Sequence, residues 1–279
     1  MQINEIQKNV AMALAEDVGS GDLTAQLIPG DMIVTAQVIS REATILCGNT
    51  WFEACFNQLS SDIAIHWFVK EGDVLQPNQI LCKIKGNARA ILTAERSALN
   101  FLQFLSAVAT QTRQYVEAVS DTRALIVDTR KTLPGLRYAE KYAVRCGGGT
   151  NHRIGLYDGI LIKENHIIAA GSIAQALSKA RMISPDGTMI EIEVETLDEL
   201  HQALQSGATM VLLDNFEIGT LHKAVVLNQQ CTQPAILEAS GNITLSNVRS
   251  VAETGIDRIS IGSLTKNIKA IDLSMRFIH

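Results

Sequence analysis

The spacing of apolar positions changes character along the 279 residues. Over residues 1–14, Ile3, Ile6, Val10 and Leu14 recur at intervals of three and four, which predicts an amphipathic helix with one apolar stripe. The glycines of EDVGSGDLT (16–24) break it. From Asp31 to Lys85 short β-type runs take over, IVTAQVIS, ATILCG, IAIHWFV and QILCKIKG, separated by turn residues such as EGD and QPN; they predict a small sheet-rich region. A long helix is predicted from about Leu92 to Val119, with Thr93 as N-cap and Ala98, Leu102, Leu105, Ala109, Thr112, Val116 and Val119 along one face.

After Asp121 the rhythm becomes regular. The apolar runs ALIVD, DGILI, MIEIEVE, TMVLLD, AILEAS and DRISIG alternate with amphipathic helical patterns. Continuously apolar strands separated by helices imply a parallel sheet buried on both faces. The runs end in polar or small residues, at Asp128, Lys163, Glu193 and Glu195, Asp214, Ser240 and Gly262. In an α/β barrel that edge is the C-terminal rim, where reactive groups from separate strands converge. The acidic alternation Glu191, Glu193, Glu195 reads equally as a solvated strand face, except that a strand covered on both sides cannot send all three to water.

Composition narrows the options. The chain is 47% apolar with a net charge of -5, so a sustained nucleic-acid track is not expected. No run reaches 18 uninterrupted apolar residues and the first residues lack a secretory pattern, which predicts a cytoplasmic protein away from membranes. Five cysteines, odd in number and without a C-x-x-C pair, suggest neither a disulfide framework nor a zinc site and read as reduced packing residues. Against the acidic total, Arg130, Lys131, Arg137, Lys141, Arg145, Arg153 and Lys163 cluster with His152 in one segment containing only Glu140 and Asp158 as acids. Such a basic centre points to a small anionic ligand, and planar guanidinium forks beside compact ammonium groups suit a ligand with two carboxylates.

The strings TRK-T-PGLR, EKYAVRCGGG-NHR, DGILIKENH, EIEVE, VLLDNF and EASGNITL stand in the order found in quinolinate phosphoribosyltransferases. EDVGSGDLT and TAERSALNFLQ resemble that family too, so the resemblance spans nearly the whole chain. It implies an incomplete α/β (TIM-like) barrel at 111–269 and a smaller N-terminal α/β sandwich domain at 1–110, joined by the tail 270–279. The implied activity transfers phosphoribosyl from phosphoribosyl pyrophosphate to quinolinate with decarboxylation, giving nicotinate mononucleotide, pyrophosphate and CO2. The implied assembly is a homodimer with shared active sites, or a hexamer built from such dimers.

By the same resemblance, Arg130, His152, Arg153 and Lys163 hold the dicarboxylate, and Lys131 is shared with the phosphoribosyl substrate. Glu193 and Asp214 engage the ribose hydroxyls and Mg2+, directly or through water, and with Lys131 form the implied catalytic set. The backbone at Ser240, Gly241, Asn242, Gly262 and Ser263 cradles the 5′-phosphate. Asn242 stands where many members carry a second glycine, a departure that asparagine tolerates because it accepts left-handed backbone angles. Arg96 is assigned to the neighbouring subunit's site; on its own, one arginine on a helix reads as solvated surface.

Three rival readings fit the sequence less well. A paralogue associated with molybdate uptake is expected to depart at NHR and LIKENH, and both are intact. A nicotinate-accepting enzyme would not need so crowded a basic set. A non-catalytic binding barrel would not need Lys131, Glu193 and Asp214 together.

Overall fold

The structure, a computed structural model, describes residues 3–278; Met1, Gln2 and His279, the outer ends of the predicted first helix and tail, lie outside the described residues. Along the chain come α1 (Ile3–Val18), β1 (Ile33–Ser40), β2 (Thr44–Ile45), α2 (Asn49–Leu59), β3 (Ala64–Trp67), β4 (Val74–Leu75), β5 (Ile80–Asn87) and α3 (Ala88–Ala118). Then follow β6 (Leu125–Val127), α4 (Arg137–Cys146), β7 (Gly159–Ile162), α5 (Glu164–Ala170), α6 (Ile173–Ile183), β8 (Met189–Val194) and α7 (Leu197–Gln205). The chain closes with β9 (Met210–Asp214), α8 (Ile218–Gln229), β10 (Ile236–Ser240), α9 (Val248–Ala252), β11 (Arg258–Ser260), α10 (Ser263–Lys266) and β12 (Leu273–Ile278).

Two compact units result. The first comprises the described residues of Met1–Arg113, Thr132–Gly148 and Leu264–His279, the second Gln114–Lys131 and Gly149–Ser263. In the first, an antiparallel sheet runs β12-β1-β5-β3, and β2 pairs separately with β4. Period-two burial puts Ala36 and Val38 of β1 into the core, with Val38 opposite Cys82 on one side and Met275 on the other. Over this sheet region α2 contributes Trp51, Phe52, Cys55 and Phe56, all but fully buried. Helix α2 falls inside the region that the sequence pattern treats as sheet-rich. Its signal was present in the intervals of three and four between these four residues, masked by the β-type runs on both sides.

Two expectations about the helices are corrected. Ile3 is 69% exposed, so the buried stripe of α1 starts at Ile6. Thr93 does not cap α3: the helix begins at Ala88, after Asn87, whose Oδ1 accepts the Ala90 N–H at 3.2 Å. Thr93 lies one turn inside, its hydroxyl 2.9 Å from both the Arg89 carbonyl and the Asp22 carboxylate. Segment 132–148, with α4, belongs to the first unit, where Tyr142 packs on Trp51 at a ring separation of 5.5 Å.

The second unit holds six parallel strands in the order β6-β11-β10-β9-β8-β7, with helices between successive strands. The first strand pairs with the last, so the order is cyclic except for one seam between β6 and β7; this is an incomplete barrel of the TIM type. At the seam Thr150 pairs with the β6 edge, donating its N–H to the Ile126 carbonyl at 2.8 Å and accepting from the Asp128 N–H at 3.1 Å. No helix among the described residues is long and apolar enough to cross a membrane.

Candidate functional site

Register in the parallel sheet decides which side chains meet. Leu161 lies opposite Glu191, Glu193 opposite Leu212, Leu212 opposite Glu238, and Glu238 opposite Arg258. Two residues further along each strand come Lys163, Glu193, Asp214, Ser240 and Ser260, which therefore share a face with that first layer. Together with Thr129, Arg130 and Lys131 after β6, and His152 and Arg153 after the seam, these groups line one cavity of about 280 Å³. Outward positions such as Ile192, Val194, Val211 and Leu213 are buried.

The floor is a buried polar network. His152 is anchored at the end of β6: Asp128 accepts the His152 N–H at 2.8 Å and the neighbouring Asn151 side-chain amide at 2.5 Å. The ring Nδ1 accepts the Arg153 N–H at 2.7 Å, so its proton sits on Nε2 and points to the Glu191 carboxylate 2.7 Å away. Glu238 accepts from Arg258 Nε at 2.8 Å. Glu191 and Glu238 are fully buried, and burial pushes both carboxyls up to about 7. The Glu191 charge raises Glu238 further, against His152 and Arg258; at Glu191, Arg258 and Arg153 oppose the rise while Glu193 adds to it.

Above this floor the cations gather. Lys163 pairs with Glu193 at 3.0 Å, as their matched strand positions require. The Arg153 guanidinium donates to the Gly159 carbonyl at 2.9 Å and is half-buried; burial first, then the charge of Arg130, holds it below the usual arginine range. The Arg130 charge beside Arg153, with Lys131 and Lys163 on the same cavity, makes a pocket that an anion relieves.

Asp214 accepts from the Asn215 side-chain amide at 2.7 Å at the end of β9. Beyond β10 the chain turns through Gly241 and Asn242, at φ of 98° and 51°. A β-carbon on Gly241 would collide with Asn215 Oδ1, and Asn242 donates to that same oxygen at 3.2 Å. Gly262 brings backbone against Lys131, whose Cδ would lie 2.9 Å from an added β-carbon. Ser263 opens α10.

Of the sequence-selected residues, the structure thus brings Arg130, Lys131, His152, Arg153, Lys163, Glu193, Asp214 and Ser240 onto one cavity, with Gly262 against Lys131. Gly241 and Asn242 form the turn that follows Ser240. Arg96 lies in the first unit on α3, lining a separate cavity of about 290 Å³ with Glu16, Asp17 and Asn100. Of the basic segment, Arg137, Lys141 and Arg145 sit on α4, which belongs to the first unit, because the chain leaves the sheet between β6 and β7. Sequence reading passed over Glu238 and Arg258 and left Glu191 ambiguous. A charged residue two positions before the rim residues Glu193, Ser240 and Ser260, inside the strand, was the available signal.

Comparison with known proteins agrees across the chain. Residues 22–106 match the quinolinate phosphoribosyl transferase N-terminal domain and residues 108–276 the C-terminal domain of the same family. The probable nicotinate-nucleotide pyrophosphorylase (carboxylating) of Bacillus subtilis is 41% identical over 273 residues, 97% of this chain and 93% of that protein. The corresponding Mycobacterium leprae protein is 37% identical over 278 residues, 98% of each. The solved nicotinate-nucleotide pyrophosphorylase of Francisella tularensis superposes with a TM-score of 0.96 at 46% identity, covering 100% of this chain and 98% of that one. With both domains matched and the relatives aligned end to end, the chain belongs to the quinolinate phosphoribosyl transferase family.

Proposed function

We propose that this cavity joins quinolinate to phosphoribosyl pyrophosphate, releasing pyrophosphate and CO2 and leaving nicotinate mononucleotide, a step of NAD biosynthesis. The observation that carries the reading is the Arg130–Arg153 pair beside Lys131 and Lys163, a cation excess suited to a doubly negative ring. Arg130, Arg153 and Lys163, with the ring of His152, orient the dicarboxylate so that its nitrogen faces the ribose carbon; Lys131 reaches the phosphoribosyl group. As the C–O bond to pyrophosphate breaks, the ribose carbon gains oxocarbenium character, which the carboxylates of Glu193 and Asp214 stabilise. The ring nitrogen then carries the sugar as a cation. That charge accepts the electron pair left when the adjacent carboxylate departs as CO2, and a proton takes its place.

Glu193 and Asp214 offer hard oxygen donors at the ends of adjacent strands, which fits Mg2+; when bound, the ion would supply charge neutralisation for the pyrophosphate. Ser240, Gly241, Asn242, Gly262 and Ser263 hold the terminal phosphate through unhindered backbone. We place the enzyme in the cytoplasm. Assays should detect CO2 and pyrophosphate in equal amounts from quinolinate, with Mg2+ required. Equal consumption of nicotinate would refute the choice of acceptor.

We further propose a homodimer in which Arg96 serves the neighbour's site, a reading supported by its place on α3 away from the cation cluster in sequence and by the family resemblance. Mixing Arg96→Ala with Lys131→Ala subunits should then restore part of the activity that each lacks alone. Absence of any recovery would show that each site is self-contained.

A further inference from the structure

The first unit contains a second group of reactive side chains that the proposed reaction does not use. Cys47, just ahead of α2, and Cys146, the last residue of α4, bring their sulfurs and a Glu71 carboxylate oxygen within 4.8 Å of one another, although they lie far apart in sequence. Glu71 is fixed: its oxygens accept the N–H groups of Gly48 at 2.6 Å and Asn49 at 3.1 Å. With both oxygens engaged and two sulfurs beside them, the group falls short of the four ligands of a closed zinc site. What remains is the chemistry of the two thiols.

The thiols are not equivalent. Cys47 is fully buried, whereas Cys146 is half-buried. The neighbouring Cys47 thiol, then the Tyr142 hydroxyl and the charge of Arg145, draw Cys146 below the usual thiol range, against burial and Glu71. Burial pushes Cys47 well above that range. A reachable sulfur inclined to ionise, backed by a hidden thiol, is the arrangement of an attacking and a resolving cysteine.

We propose that Cys47 and Cys146 form a modification site, a reversible disulfide made by hydrogen peroxide. The Cys146 thiolate attacks a peroxide oxygen; the O–O bond breaks, the first water leaves after protonation, and Cys146 becomes a sulfenic acid. The Cys47 sulfur then attacks that of Cys146, breaking the S–O bond and releasing a second water. Two thiols have given up two electrons, and the peroxide has taken them. A dithiol reductant reverses the bond by exchange.

The test treats the intact protein with hydrogen peroxide and counts thiols after denaturation. Titratable thiols should fall from the five of the sequence by two, a peptide linking Cys47 to Cys146 should appear by mass spectrometry, and dithiothreitol should restore the count. Cys146 should react about tenfold faster than Cys231, the other cysteine that is not buried. In Cys47→Ser, a sulfenic acid on Cys146 should accumulate and be trapped by dimedone; in Cys146→Ser, Cys47 should stay unmodified. Peroxide that leaves the pair reduced in the wild-type protein, or oxidises Cys231 first, overturns the proposal, and that readout needs no variant to fold.

Discussion

Replacing Arg153 with methionine is expected to lower kcat/KM for quinolinate by about 10² to 10³, the equivalent of roughly 3–4 kcal/mol, which is the usual cost of truncating one partner of a buried, hydrogen-bonded charge pair. Methionine keeps most of the apolar stem in place and removes the guanidinium. The loss should be shared between kcat and KM, because the group both holds a carboxylate and aims the ring. The Arg153–Gly159 hydrogen bond contributes about 1 kcal/mol to folding, so the melting midpoint should shift only slightly. Arg153→Lys should recover part of the rate, since an ammonium supplies charge without the two-point fork. A drop of less than about threefold, the scale of an exposed ion pair, would remove Arg153 from the acid-binding set.

Stability is expected to fall as pH rises from about 5 to 7.5. Glu191 and Glu238 bind their protons more tightly in the folded chain, at about 7, than at the ordinary value of 4.5 in the unfolded one. Between those values the folded state holds the extra protons, so raising the pH favours unfolding until both carboxyls have ionised, above about 7. The two together set an upper bound on the order of 3 kcal/mol each, from the pKa displacement. Chemical denaturation of the wild type and of Glu238→Gln across this range is the measurement. Glutamine keeps an acceptor for Arg258 and has no proton to lose, so the variant's profile should be flatter. A wild-type stability that rises through the window would mean that these carboxyls are ionised in the fold at little cost.

The strands of the second unit were legible with little error: DGILI, TMVLLD and AILEAS became β7, β9 and β10, displaced by one residue at the start. Continuous apolar runs leave no other reading once helices separate them. The first unit was less legible, because α2 has only eleven residues and sits among β-type runs, and because Thr93 and Asn87 are both acceptable caps by residue type. Rim residues such as Lys163, Glu193 and Asp214 could be picked out as polar ends of apolar strands. Glu238 and Arg258 carried a weaker mark, a charge inside a strand, whose meaning is settled only when its partner across the sheet is known.

By itself, then, the sequence determined the alternation of strand and helix, the polar rim and the order of the family's motifs, all of which depend on neighbours within a turn or a strand. Tertiary structure alone decided which charges share a space. Parallel register set Lys163 against Glu193 and Glu238 against Arg258. The excursion through α4 took Arg137, Lys141 and Arg145 into the other unit, and the seam at Thr150 turned His152 onto Glu191. Such encounters join residues tens of positions apart, and no local periodicity encodes the distance between them.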